Sequence, residues 1–274
     1  MVLSEQEPQK HGYEPEANER NEVRNREHVL SVATNFATFP LGRRRGSGNL
    51  AGQSSPEAPV RGDIIIVEDH HRAAAARIVD HLADAVAARE GRYTITVAGE
   101  SGSGKSETAQ AIAEAFAARN VQSAIYQQDD YFVYPPKTND QTRRKDIGWV
   151  GSGEVHLDLL DTHLQAALDG ADEVEKPLVI YEEDRIDTEV MDLRGAKVVL
   201  AEGTYTSLLE HVDTRVFIAR NRLDTMEHRM KRGREDFDPF IEDVLTIEHD
   251  IISKHREVAD VVITRDYDVE FPRG

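Results

Sequence analysis

The sequence contains no cysteine, which removes disulfides, thiolate metal sites and cysteine nucleophiles from consideration. No apolar run approaches the roughly 18 residues that a membrane-spanning helix requires. The N-terminus lacks the apolar stretch of a secretory signal and is rich in glutamate, unlike organellar transit peptides. The expected compartment is therefore the cytoplasm. Positive charge is scarce too: 33 Lys and Arg against 51 Asp and Glu give a formal net charge of −18. A surface of that sign repels nucleic acids and anionic membranes, so neither is an expected partner. It fits a soluble acidic enzyme, or adaptation to high salt, where screening relieves self-repulsion.

What is present divides unevenly along the 274 residues. Residues 1–60 carry Glu5, Glu7, Glu14, Glu16, Glu19, Glu22 and Glu27, then an arginine triplet at 43–45 between glycines, then Ser54-Ser55-Pro56. This is the composition of a poorly ordered tail. Val29 to Phe39 holds enough apolar residues for a short docking element. Residues 61–274 read as one domain. Ile64 to Val67 reads as a first strand. Ile78, Leu82 and Val86 make a helical stripe closed by Gly91. Further strands are expected at Tyr93–Ala98, Ser123–Gln127, Lys197–Ala201, Thr214–Ala219 and Asp260–Thr264, with a small accessory strand at Leu178–Tyr181. Leu157, Leu160 and Leu164 share a helix face. Asp224 and Glu227 start another helix in capping-box style. Asp238-Pro239 opens the last one, along which run Ile241, Val244, Ile247, Glu248 and Ile251. Strands alternating with helices predict a parallel sheet with helices on both faces. Ligands of such sheets bind at the carboxyl ends of the strands.

One stretch carries specific chemistry. Gly99-Glu100-Ser101-Gly102-Ser103-Gly104-Lys105-Ser106 fits G-x-x-x-x-G-K-[ST], the phosphate-binding loop, and sits between a predicted strand and a predicted helix, as that loop requires. Its glycines let backbone N–H groups turn inward around phosphate oxygens, and the helix N-terminus adds its positive dipole end. The nucleotide-binding residues are thus Gly99 through Ser106, with Glu107 following. Lys105 is placed to reach the β- and γ-phosphates of ATP and the Ser106 hydroxyl to bind Mg²⁺. Acidic residues fall at two other strand ends: Asp129 and Asp130 after the second strand from the loop, Glu202 after the third. A carboxylate in that position is the usual companion of Mg²⁺, and a second can take the proton of a substrate hydroxyl. Arg229, Arg232 and Arg234 cluster further on, suited to a lid over the transferring phosphate.

Together these motifs resemble the uridine kinase and phosphoribulokinase family of P-loop kinases. The matches are Gly99–Ser106, Gln128-Asp129-Asp130-Tyr131-Phe132, Ala201-Glu202-Gly203 and the segment Arg229 to Arg234. Weaker echoes are His163 to Leu168 and Val258 to Ile263. The resemblance implies a P-loop kinase fold with sheet order 2-3-1-4-5 (counted over the five strands from Tyr93 on) and an arginine lid. It assigns Asp129 as catalytic base, Glu202 as Mg²⁺ partner, and Arg229 and Arg232 as lid arginines. The chain departs from the family at Gly148-Trp149-Val150-Gly151-Ser152. Uridine kinases carry there an aspartate that holds the ribose hydroxyls, and this chain has Val150. Trp149, Tyr131, Tyr134 and His156 are then the candidates for an acceptor pocket.

The expected activity is transfer of the γ-phosphoryl group of ATP, with Mg²⁺, to a hydroxyl of a small molecule: a nucleoside, sugar or sugar phosphate. The alternatives are a nucleotide-binding regulatory module, a strict uridine or cytidine kinase, and a toxin-like kinase of larger acceptors. A guanine-specific switch is disfavoured, because no Asn-Lys-x-Asp motif occurs. The reading of residues 1–60 makes a direct prediction. A chain starting at residue 61 should express in soluble form and turn over nucleotide like the full chain. Loss of solubility or turnover would show that Val29 to Phe39 docks on the domain.

Overall fold

The computed structural model describes residues 65–221, 224 and 238–273. Residues 1–60 and the arginines 229, 232 and 234 lie outside them.

The first described element is helix α1 (Asp69–Ala88). His71, Ala74, Ala75, Ile78, Val79, Leu82 and Val86 recur every three or four positions and are buried, one apolar stripe of an amphipathic helix. Ahead of it, Ile65 to Val67 form no strand. Ile65 and Ile66 are exposed, and the Glu68 amide donates instead to Nδ1 of His71 (3.1 Å). A run of β-branched residues becomes a strand only where a sheet edge is free to pair with it, and here it serves as the lead into a helix cap. The helix ends at Ala88, and Gly91 (φ 74°) belongs to the turn beyond it rather than to its cap.

The remaining elements are β1 (Tyr93–Gly99), α2 (Lys105–Ala117), β2 (Gln122–Gln127), α3 (Pro136–Lys145), α4 (Leu157–Leu168), β3 (Glu173–Ile180), β4 (Arg185–Asp192), β5 (Ala196–Glu202), β6 (Thr214–Ile218), α5 (Pro239–Ile252), β7 (Val261–Ile263) and β8 (Val269–Glu270). The main sheet runs β2-β5-β1-β6-β7-β8. Its first five strands are parallel, but β8 pairs antiparallel with β7. The sheet is therefore mixed, not purely parallel. A second sheet is the antiparallel hairpin β3-β4, far longer than the accessory strand expected at Leu178–Tyr181. Its second strand, Arg-Ile-Asp-Thr-Glu-Val-Met-Asp, alternates apolar with charged residues and is largely exposed, so it shows no apolar run.

Alternation sorts the core into two faces. Tyr93, Ile95 and Val97 of β1 pack with Val198, Leu200, Val216 and Ile218 against α1 and α2. Their neighbours Ala98, Val199, Ala201, Phe217 and Val262 face the other way, against Leu160, Leu164 and Ala167 of α4 and Ile252 of α5. Each fully buried side chain of this size contributes about 1.5–3 kcal/mol, and β1, buried at every position, is the seam between the two cores. Arg92, just before it, donates to the carbonyls of Ala167 (2.7 Å), Leu193 (3.0 Å) and Ala196 (3.1 Å). Three carbonyls from α4 and the approach to β5 thus share one cation.

Register decides where the chemistry falls. Val97 of β1 and Gln127 of β2 both pair with Glu202, the last residue of β5. The carboxyl ends of the three adjacent strands are therefore level, and the loops that leave them meet. No helix among the described residues is long and apolar enough to cross a membrane.

Candidate active site

The loop from Gly99 to Ser106 leaves β1 and enters α2 as the motif requires. Ser103 N–H donates to the Glu100 carbonyl (3.1 Å), closing the turn. Gly104 has φ 94° and precedes the first helical residue. A Cβ there would lie 2.8 Å from Oη of Tyr267 and 3.1 Å from Nε2 of His71, so only glycine suits both the backbone and the space. Tyr267 also donates to the Ser103 carbonyl (3.3 Å) and accepts from Nη1 of Arg220 (2.7 Å). Oγ of Ser103 and Oγ1 of Thr108 are buried with no partner. Nζ of Lys105 turns back to the Glu100 carbonyl (3.0 Å). Orphaned hydroxyls and a lysine folded on its own loop fit a site shaped for phosphate oxygens.

Ser106 Oγ donates to Oε1 of Glu202 (3.0 Å). Glu202 is buried. Burial pushes its carboxyl up to about 7, the Asp129 charge adds to that, and Lys105 and the Ser106 bond oppose it. A hydroxyl and a carboxylate side by side are hard oxygen donors of the kind Mg²⁺ takes, so these two residues fit the metal.

Asp129 and Asp130 are adjacent yet differ completely. Asp130 is buried and fully engaged: it accepts from Nζ of Lys176 (2.6 Å) and from the Val179 amide (3.0 Å). It fastens hairpin strand β3 to the turn after β2. Asp129 remains open to solvent within a cleft whose walls raise its pKa. Lys105 counters that rise, the Asp130 charge adds to it, and a hydrogen bond from Tyr181 lowers it again.

A polar network absent from the sequence reading adjoins this cleft. Glu154, fully buried, is gripped by Arg143 through both oxygens, at 2.8 Å for Nη2 to Oε2. Arg143 also reaches Glu248 of α5 (3.2 Å). Glu154 accepts from Asn139 Nδ2 (3.0 Å), whose Oδ1 accepts from Nε1 of Trp149 (2.9 Å). Backbone bonds join this segment to that of Asp129: Val133 N–H to Glu154 O (2.8 Å) and His156 N–H to Tyr131 O (2.8 Å). The Trp149 ring lies 5.5 Å from that of Tyr134. Helix α5 also touches the phosphate loop, through His249 Nδ1 and Glu100 Oε1 (2.6 Å).

Two expectations need correction. Tyr131 is not a pocket residue: it is fully buried and its hydroxyl meets Nδ1 of His163 (2.8 Å). Burial holds the His163 imidazole down to about 4, so that pair is neutral core. The reciprocal cap after β6 joins Asn221 and Asp224, 3.1 Å in each direction. It therefore starts three residues earlier than expected, and Glu227 lies outside the described residues. The lid arginines also lie outside them. A signal for the network did exist in one place. Glu248 interrupts the apolar stripe of the last helix, and a buried glutamate there needs a cationic partner.

The Glu202 shift has a consequence for stability. Its folded pKa of about 7 exceeds its ordinary value of 4.5. Its contribution is therefore complete below 4.5 and lost as pH rises through 7. Relative to wild type, Glu202→Gln should gain stability across that window, by on the order of 3 kcal/mol. Urea unfolding without nucleotide, at about pH 5 and about pH 8, measures the difference. A pH-independent difference would contradict the assignment.

Comparison with known proteins accords with this geometry. The profile of the Phosphoribulokinase / Uridine kinase family matches residues 94–236. Over 191 residues the chain is 29% identical to the bifunctional alpha-galactosidase/sucrose kinase AgaSK of Mediterraneibacter gnavus, covering 65% of this chain and 20% of that protein. The chain thus spans about a fifth of that relative's length. Among solved structures, a provisionally named fructose transport system kinase from Silicibacter sp. TM1040 superposes with a TM-score of 0.51 at 15% identity, over 68% of this chain and 94% of that one. D-glycerate 3-kinase from Cryptococcus neoformans gives a TM-score of 0.51 at 11% identity, over 74% and 99%. At these identities the two structures speak for the fold alone. The profile match spans more than half of the chain, and the chain belongs to the Phosphoribulokinase / Uridine kinase family of ATP-dependent small-molecule kinases.

Proposed function

We propose that this chain transfers the γ-phosphoryl group of ATP to a hydroxyl of a small metabolite in the cytoplasm. The observation that carries the reading is the meeting of three strand ends. Ser106 and Glu202 are hydrogen bonded at the mouth of the phosphate loop, and the solvent-open Asp129 lies near enough to feel the charge of Lys105.

The loop amides from Gly99 to Ser106 and Lys105 hold the phosphates of ATP. Ser106 and Glu202 hold Mg²⁺, which when bound neutralises phosphate charge. Asp129 accepts the proton of the acceptor hydroxyl, its raised pKa bringing it closer to working pH. The hydroxyl oxygen forms a bond to the γ-phosphorus while the bond from that phosphorus to the bridging oxygen breaks. ADP and the phosphorylated acceptor leave, and the proton passes from Asp129 to solvent. Arg229 and Arg232 are assigned to the lid, against the charge of the transferring group.

Three variants test this. Lys105→Ala should lower turnover by about 10²-fold or more while the protein still folds, since the lysine's one hydrogen bond is to a loop carbonyl and its charge acts on the Glu202 and Asp129 carboxylates. Near-wild-type turnover would overturn the assignment. The second test contrasts the neighbouring aspartates. Asp129→Asn should cost about 10²–10⁴ in rate and leave stability and ATP affinity nearly intact. Asp130→Asn should destabilise the fold by about 3–5 kcal/mol, because it leaves the buried Lys176 poorly paired. The reverse pattern in rate and urea midpoint would shift the base by one residue.

A further inference from the structure

The polar network beside Asp129 also has a charge balance, and it bears on the acceptor. Arg143 is shared by Glu154 and Glu248 (3.2 Å). Lys176 is shared by Asp130 (2.6 Å) and Glu189 (2.9 Å). Arg144, next on α3, is shared by Asp140 (2.8 Å) and Asp238 (2.7 Å). Each of these cations faces two carboxylates, so each group carries net negative charge. The function proposed above assigns Lys105 to the nucleotide, and Arg229 and Arg232, outside the described residues, to the phosphate in transit. Among the described residues of this network, then, no cation is left to receive a phosphate or carboxylate on the acceptor.

The uncharged part of the wall has its own character. Trp149 and Tyr134 set two rings side by side, and the Trp149 ring is fixed because its N–H is held by Asn139 (2.9 Å). Tyr134 is 39% exposed. An amphipathic ring fixed in this way offers an apolar face to a ligand whose polar groups point elsewhere. The carboxylates of Glu248 and Asp129 accept hydrogen bonds and donate none. Val150, in the same segment, is buried and accepts none from a ribose.

We propose that the acceptor is an uncharged, unphosphorylated sugar, stacked on Trp149 and Tyr134 and read by the surrounding carboxylates, and that sugar phosphates and hydroxy acids are excluded by the paired cations. This rests on the kinase reading above and narrows it to one substrate class. The reaction is unchanged: a sugar hydroxyl loses its proton to Asp129, gains the γ-phosphoryl group, and ADP leaves.

The chain supplies its own reporter, because Trp149 is its only tryptophan. The full-length protein, with Mg²⁺ and a non-hydrolysable ATP analogue, is titrated with sucrose, fructose, fructose 6-phosphate, glycerate and uridine while Trp149 fluorescence is followed. ADP release with ATP is measured on the same panel. We expect a saturable fluorescence change with a neutral sugar, and kcat/KM for that sugar at least about tenfold above any charged acceptor. Fluorescence response and turnover that favour fructose 6-phosphate, glycerate or uridine would overturn the sugar assignment and leave the kinase reading standing. A sugar-dependent fluorescence change with no ADP release would overturn the kinase reading instead. Glu248→Gln supplies the second variant. Removing one negative charge beside Arg143 should raise the ratio of kcat/KM for fructose 6-phosphate over fructose by about tenfold. An unchanged ratio would show that the pairing of Arg143 does not set selectivity. Trp149→Phe tests the stacking by turnover: without the N–H that Asn139 holds, the ring is no longer fixed, so KM for the sugar should rise with kcat little changed, and an unchanged KM would show that Trp149 does not hold the sugar.

Discussion

Like charge crowded at the end of three parallel strands is the constraint around which this structure is arranged. Register sets Glu202 beside Val97 and Gln127, and the turn after Gln127 brings Asp129 close enough to raise the Glu202 pKa. Two carboxylates in a partly desolvated cleft repel each other and resist ionising together. Lys105 and the Ser106 hydroxyl oppose that tendency without removing it. The site therefore holds an unfavourable electrostatic arrangement of the kind a divalent cation would relieve. The glycine at 104 and the orphaned hydroxyls of Ser103 and Thr108 belong to the same logic: space and polar atoms are kept for something not made of protein.

The surrounding charges are handled in the opposite way. Asp130, Glu154 and Lys176 are buried and fully paired. Such pairs add little net stability, since desolvation offsets much of their attraction. Their effect here is positional. Asp130 ties β3 to the turn carrying Asp129, and Glu154 ties α3 to α5 through Arg143. Breaking either pair would release a wall of the cleft. One acidic side chain at a strand end thus serves structure, and its neighbour is left open to solvent.

In the sequence that distinction rested on the family resemblance alone, since by residue type Asp129 and Asp130 are equivalent. What was legible were the features that depend on local pattern: the glycine loop, the buried strands β1, β5 and β6, the cap at Asp238-Pro239. These are fixed by neighbours a few residues away. The failures involve partners far along the chain. Ile65 to Val67 has strand-like residues but pairs with no strand and leads into a helix cap instead. β4 has an edge to join but too few apolar residues to be noticed. Tyr131 resembled a pocket aromatic because its partner His163 lies 32 residues away. Arg143 and Glu154 gave no signal at all, because a buried ion pair is written in sequence as two ordinary surface residues.

The family resemblance and the acceptor network draw on different parts of the chain. The family profile ends at residue 236, while Glu248 and His249, which close the cleft against Arg143 and Glu100, stand on α5 beyond it. The phosphate loop, Glu202 and Asp129 all fall inside the profile. Selection among acceptors requires only that some wall of the cleft carry the right charge and shape, and under the sugar proposal that wall includes a helix beyond the matched region. A profile match can therefore establish the kind of reaction and say little about the acceptor. The pairing of Arg143 with Glu248 is the kind of observation on which the acceptor has to be argued.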